Sequence, residues 1–503
     1  MTTRTPAAAL PAIADGPLLV AGIGASFGVS VDELRSLLEV ALAGVGLTPA
    51  AIDAFATVEA KANEEALLVL AREYDVPLLL HPAAKLSRVA VPHPSDRVAE
   101  AVGTASVAEA AALLGSPDWK GRLAEQSAEL LVDKTASPRA TVAIARHWLA
   151  DLRHHGDAEL GPDLLDLAVN VAPDPLPDWL AGVLRDACAN MRNYPDARSA
   201  TAAVARRHGR TEDEVLLTAG AAEAFTLIAQ GVSRGKAVIV HPQFTEPEVA
   251  LRAAGWQVER VVLQAKGWFQ LDPATVADDA TLVVIGNPTN PTGVLHPRET
   301  LRQLRRPGRV LLVDEAFMDL VPDEPQSLAD DPDLDGIVVV RSLTKTWGLA
   351  GLRIGYLLGD PSVITAAAAV QPHWSVSTPA LAAAAGCMSV EGVREGHRRA
   401  VALTEQRGWL SIALAERGFE VAPDPAGPFV LTRHPKRQRL HAELRSAGIA
   451  VRRADTFPGL GPGWVRISVR DDAAMRQLLT ALDAASSDGA SSDGASSDGG
   501  DPE

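Results

Sequence analysis

The sequence predicts an α/β protein in more than one folded part, with its larger part built on a mainly parallel sheet. Three observations carry that expectation. Short apolar runs of strand length, Leu282–Ile285, Val310–Val313 and Ile337–Val340, each pass directly into a polar signature, as strands buried on both faces do at their carboxyl ends. Earlier in the chain, strand-like runs alternate with segments of helical periodicity such as Val31–Val45. At 503 residues the chain also exceeds one ordinary domain.

Taken in order, residues 1–16 lack the charged start and continuous apolar core of a signal peptide and are expected to be a flexible leader. Residues 17–147 form an Ala/Val/Leu-rich α/β module. In it Leu18–Gly24 is a strand entering a glycine turn, and Val31–Val45 is a helix with Asp32 and Glu33 in its first turn. Ala54–Val58 and Pro77–Leu80 are further strands, with a helix over Glu64–Glu73 between them. The second part, residues 151–484, holds the polar-ended strands. Its segment Leu216–Phe225 reads as a small-residue turn opening a helix, whose free N–H groups and positive dipole end suit a phosphate. Residues 485–503 repeat Ser-Ser-Asp-Gly-Ala, too small and polar to offset ordering entropy, and are expected to be a disordered tail.

Net charge is −16 and the pI about 5.3, without long like-signed blocks. This disfavours nucleic acid or an anionic membrane surface as a partner, and an anionic substrate would need a local basic pocket. The two cysteines, Cys188 and Cys387, lie far apart and outside any metal-ligand spacing. They fit a reducing cytoplasm and imply no metal site. The apolar runs are far short of a membrane span.

The chemistry centres on Lys345, in Ser342-Leu343-Thr344-Lys345 with Arg353 eight residues on. From residue 151 onward the chain carries only four lysines, Lys236, Lys266, Lys345 and Lys436, and otherwise uses arginine. A primary amine can form a Schiff base with a carbonyl cofactor and arginine cannot. The other polar signatures add Asn287 to Gly293, with Asn290, and Asp314-Glu315-Ala316-Phe317. In an open α/β sheet such residues converge beyond the carboxyl strand ends. A lysine, a carboxylate, an amide, an arginine and a helix N-terminus are the protein groups that pyridoxal 5'-phosphate needs.

On these motifs residues 160–480 resemble a fold-type I pyridoxal-phosphate enzyme of the aminotransferase class I/II superfamily. The resemblance is to the branch holding histidinol-phosphate aminotransferase and L-threonine-O-3-phosphate decarboxylase. It implies a large, mainly parallel sheet domain with a small α/β domain, Lys345 as the Schiff-base lysine and proton shuttle, and Asp314 opposite the pyridine nitrogen. It further implies Asn290 on the ring hydroxyl, Phe244 stacked on the ring, and Ser342, Arg353 and the backbone at Ala221 and Ala222 on the phosphate. Tyr194, in a Tyr-Pro motif, would reach the phosphate from the neighbouring subunit of a homodimer. Arg466 would bind the substrate carboxylate and Arg452 a substrate phosphate, with Asn170 and a histidine of the pair His154-His155 nearby, His155 being the candidate. Arg453 and Arg470 are expected to be solvated. Phe317 stands where many relatives carry a tyrosine; it resembles the decarboxylase side or is a plain core residue.

The first module resembles the cobalamin-biosynthesis domain at the C-terminus of cobalt-precorrin-5A hydrolase, through Gly22-Ile23-Gly24, Ala56 to Lys61, Val98 to Gly103, Lys134-Thr135 and Ala140 to Arg146. That implies a corrinoid intermediate as its ligand. Ala25-Ser26-Phe27 departs from the Cys and basic residue usual there, which puts hydrolysis in doubt. Glu59, Lys61, Glu64 and Lys134 either line a site or are solvated. Together the two resemblances imply decarboxylation of L-threonine O-3-phosphate, a small anionic amino-acid substrate. An aminotransferase on histidinol phosphate is the alternative, and a non-catalytic scaffold of the corrinoid pathway a third.

Overall fold

The structure is a computed structural model that describes residues 18–490 except Gly46, 116–123, Ala150, Asp151, Gln438 and Pro462. The expected leader, and the tail beyond Ala490, lie outside the described residues. The chain separates into two compact units that meet in sequence between Ala150 and Asp151.

The first unit is a five-stranded sheet in the order β3-β2-β1-β5-β4. Its strands are β1 (Leu18–Ala25), β2 (Ala54–Val58), β3 (Leu78–His81), β4 (Ala124–Ala136) and β5 (Ala140–Leu149). The first three run parallel, and β5 returns antiparallel beside β1. The helix expected over 31–45 runs Val31–Ala43, started by Ser30, whose side chain accepts from the Glu33 N–H. Helix Val107–Leu114 lies directly on β1: a Cβ at Gly22 would stand 2.0 Å from the Ala108 carbonyl oxygen, so only glycine permits the approach.

The second unit holds two sheets. The larger has seven strands in the order β7-β13-β12-β11-β10-β8-β9. These are β7 (Val215–Thr218), β8 (Lys236–His241), β9 (Gln257–Val262), β10 (Leu282–Gly286), β11 (Val310–Asp314), β12 (Ile337–Ser342) and β13 (Gly355–Gly359). All pairings are parallel except those of β13. Along the central strands side chains alternate between two buried clusters: Val283, Ile285, Val313 and Val339 enter one, Val284, Leu312, Val338 and Val340 the other. Burial on both faces is why these strands read as continuous apolar runs.

The smaller sheet, β14-β15-β17-β16-β6, combines β14 (Glu420–Val421), β15 (Phe429–Arg433), β16 (Ile449–Arg453) and β17 (Trp464–Ser468) with β6 (Leu165–Leu167) from the start of the unit. Its last helix, Asp472–Ala490, passes the boundary expected at residue 484. Met475, Leu478, Leu479 and Leu482 anchor it in the small-sheet core, and once a helix is nucleated each added residue costs little. The 485–490 part of the expected disordered tail is therefore helical. Among the described residues no helix is long and apolar enough to cross a membrane.

Candidate active site

The carboxyl ends of four strands of the larger sheet deliver its polar residues to one place. From β10 the chain turns through Asn287 to Asn290, β11 ends on Asp314, β12 ends on Ser342 and continues into the short helix bearing Lys345, and β7 leads into helix Ala221–Gly231. Pairing of Gly286 with Asp314, and of Asp314 with Val340, sets these ends level. They border a cavity of about 550 Å3. Its walls include Ala221, Ala222, Phe244, Asn290, Asp314, Ser342, Lys345 and Arg353, joined by Asn170, His155, Arg452 and Arg466. Every residue expected at the site lines this cavity except Tyr194. That side chain is 75% exposed, stacked on Trp374 with ring centroids 4.3 Å apart.

Burial pulls the Lys345 amine down to about 8, aided by the charges of Arg466 and Arg353 and opposed by Asp314. A neutral amine is thereby brought within reach of ordinary pH. Burial pushes the Asp314 carboxyl up to about 6, against a hydrogen bond from the Ala316 N–H and the charge of Lys345. Just ahead of Ala221 and Ala222, Gly220, at φ +81°, caps helix Ala221–Gly231 without a side-chain cap. A Cβ there would stand 2.6 Å from Arg353 Nη2. Arg353 itself takes the left-handed conformation, at φ +58°, which folds its guanidinium over the helix start. Ser342 and Thr344 hydroxyls lie 2.7 Å apart beside it.

Arg466 is 4% exposed. Its Nη1 donates to Asn290 Oδ1 at 2.6 Å and its Nη2 to the Ala168 carbonyl. Burial pulls its pKa well down, and Arg452 and Arg470 add to that. Because Asn290 accepts with its oxygen, its amide nitrogen is left as the donor side. Arg452 Nη2 donates to the His154 carbonyl and to Thr456 Oγ1, both at 2.7 Å, and its guanidinium lies 4.7 Å from the Phe457 ring centre. Asn170 accepts from Ser468 Oγ at 2.6 Å.

The histidine pair, equivalent in sequence, separates in space. His155 faces the cavity, its Nε2 2.7 Å from Glu246 Oε1, whereas His154 turns to Glu159. Arg470, expected in solvent, is instead nearly buried and donates to the Asp166 and Val169 carbonyls. Arg453 pairs with Asp455 at 2.6 Å while keeping partial exposure. Phe317 is both core and wall: it meets Phe429 edge-on, centroids 5.3 Å apart, and borders the cavity. Glu246, Asp157, Thr344 and Phe457 also line the cavity and were not singled out from sequence; adjacency to Phe244 was the signal for Glu246, and adjacency to the histidines for Asp157. Among the described residues no group of three or more His, Cys, Asp or Glu is placed to hold a metal ion.

Residues 162–482 match the family model described as aminotransferase class I and II. The chain belongs to the aminotransferase class I and II family. That family is dependent on pyridoxal phosphate, and this member is an enzyme of it. Residues 19–145 match a second model, cobalamin synthesis G C-terminus. A histidinol-phosphate aminotransferase of Mycobacterium tuberculosis is 50% identical over 327 residues, covering 64% of this chain and 88% of the relative. A threonine-phosphate decarboxylase of Salmonella typhimurium is 31% identical over 335 residues, covering 64% and 92%. Among solved structures, histidinol-phosphate aminotransferase from Clostridium acetobutylicum superposes with a TM-score of 0.60 at 24% identity, over 65% of this chain and all of that one. L-threonine-O-3-phosphate decarboxylase from Porphyromonas gingivalis gives 0.57 at 25%, over 63% and 98%.

The cavity's donor set fits the family's cofactor. A buried amine would be available to its aldehyde, and a buried carboxylate would suit a ring N–H. The glycine-capped helix start under Arg353 leaves a cradle that any Cβ at 220 would fill.

Proposed function

We propose that the second unit decarboxylates L-threonine O-3-phosphate to (R)-1-aminopropan-2-yl phosphate in cobalamin biosynthesis. The observation that carries this reading is the covalent pairing of a cobalamin-synthesis module with an aminotransferase-family enzyme on one chain. The cavity supports an anionic amino-acid substrate, because Arg353, Arg452 and Arg466 all line it together with Lys345.

In this reading Lys345 would anchor the cofactor and Asp314 would hold the proton on its ring nitrogen. Asn290 would donate to its hydroxyl oxygen, Phe244 would lie against its ring, and Ser342, Arg353 and the N–H groups of Ala221 and Ala222 would hold its phosphate. When bound, the cofactor supplies an electron sink for the pair left on Cα. Arg466 takes the substrate carboxylate as a planar fork, Arg452 takes the phosphate, and Asn170 and His155 border the carbon skeleton between them. By fixing both ends, the two arginines choose which bond at Cα is aligned for cleavage. The Cα–carboxylate bond would break with loss of CO2, and Lys345 Nζ, freed when the substrate amine takes its place, would deliver the proton that replaces it at Cα. Tyr194 contributes to the phosphate site of the neighbouring subunit in a homodimer, and the first unit takes a corrinoid intermediate.

The test is mass-spectrometric: purified protein with L-threonine O-3-phosphate and no keto acid. Appearance of aminopropanol phosphate with CO2 supports the reading. No product there, but amino transfer between histidinol phosphate and 2-oxoglutarate, overturns it. That second reading is favoured by the name of the Mycobacterium relative at 50% identity.

A further inference from the structure

Glu159 is a buried carboxylate, 3% exposed, at the end of the short helix Gly156–Glu159. It is not one of the cavity's lining residues, although Arg452, which is, lies close to it. Three elements converge on it. His154 Nε2 lies 2.8 Å from Oε1, His441 Nε2 lies 2.9 Å from Oε2, and the Arg453 N–H donates to Oε1 at 3.2 Å. Arg445 Nη1 donates to its backbone carbonyl at 2.7 Å. Arg452 Nη1 stands 3.7 Å from Oε1. Burial works to raise the carboxyl's pKa, but the hydrogen bonds from His154 and His441 outweigh it and hold it well below the usual range.

The geometry ties this cluster to Arg452. The His154 ring is held by the carboxylate while the His154 carbonyl accepts from Arg452 Nη2. The carboxylate also bonds the N–H of Arg453, the next residue on β16. Arg452 and Arg466 are both buried and repel each other, and Glu159, together with Asp166, opposes that repulsion at Arg466. Two guanidiniums forced together in low dielectric need a fixed counter-charge to keep their geometry.

We propose that Glu159, with His154 and His441, is a positioning residue that sets Arg452 for a phosphorylated substrate. It never touches that substrate. The inference rests on the reading of Arg452 as the phosphate-binding arginine, and it applies to whichever phosphorylated substrate the enzyme turns over.

The experiment is a double-mutant cycle on the full-length, cofactor-loaded enzyme, using Glu159→Gln, Arg452→Gln and both together. L-Threonine O-3-phosphate is the substrate, replaced by histidinol phosphate with 2-oxoglutarate should only that pair react. Glu159→Gln is expected to raise KM about tenfold with little change in kcat, the size of one lost hydrogen bond to a charged group. It should add nothing once Arg452 is already Gln. A KM rise of the same factor in the Arg452→Gln background overturns the proposal, as does an effect on kcat alone. Should Glu159→Gln lose its thermal transition or its cofactor absorbance, His154→Gln, which keeps the backbone carbonyl, carries the same cycle. An Arg452→Gln variant with unchanged KM would instead remove the phosphate role of Arg452 and leave the packing role of Glu159 standing.

Discussion

At the residue scale Lys345 and Asp314 are opposite cases of one cause. Burial disfavours the charged form of each, so the amine titrates low and the acid high. An amine titrating near 8 is about one-tenth neutral at pH 7, about two hundredfold more than a free lysine near 10.4. Reconstitution of cofactor-free protein with pyridoxal phosphate should therefore speed up through about pH 8 and then level, as followed by visible absorbance. Lys345→Ala should abolish that band and lower turnover by at least about 10²-fold. For Asp314 the folded chain binds its proton more tightly than the unfolded chain. The stability it contributes is full below the unfolded value near 4 and is lost as the pH rises through about 6. In the cofactor-free protein Asp314→Asn should leave unfolding unchanged near pH 4. Above pH 6 it should gain up to about 3 kcal/mol relative to wild type, read from denaturant titrations at both pH values.

At the scale of elements, the strand ends were legible and the side-chain partnerships were not. Lys345, Asp314 and Asn290 follow apolar runs whose burial on both faces dictates their register, so sequence position alone brings them to one rim. Arg452 and Arg470 have no such local rule. Their partners, the His154 and Val169 carbonyls, lie 298 and 301 residues away, and no window of sequence links them. His154 and His155 are likewise separated by the local backbone, which sends one ring to Glu159 and the other to Glu246. On β12 itself a buried group holds the scaffold: Arg341, fully buried, contacts Glu315 at 3.0 Å and also pairs with Asp319 and Glu324. Removing one member of such a cluster leaves uncompensated buried charge. Arg341→Met should cost about 3–5 kcal/mol in denaturant unfolding and loosen the loop that follows Asp314.

At the scale of the whole molecule, the proposed cross-subunit role of Tyr194 gives a test that single variants do not. Tyr194→Ala protein and Lys345→Ala protein should each be impaired in cofactor retention or turnover. Mixed and allowed to exchange subunits, they should recover activity, since each hybrid dimer rebuilds one intact site; no recovery would confine the site to a single chain. A different consequence follows from where β6 sits. Residues 165–167 pair with Ile449–Val451 of β16, so the ribosome releases the first strand of the smaller sheet about 280 residues ahead of its partner. At roughly 5–20 residues per second that strand waits some 15–60 s with its pairing edge open, while the entire larger sheet is made and folded between them. Completion of the smaller sheet is thus a late closure of very high contact order. Nascent chains stalled before residue 449 should carry a finished larger sheet and an exposed, chaperone-accessible β6.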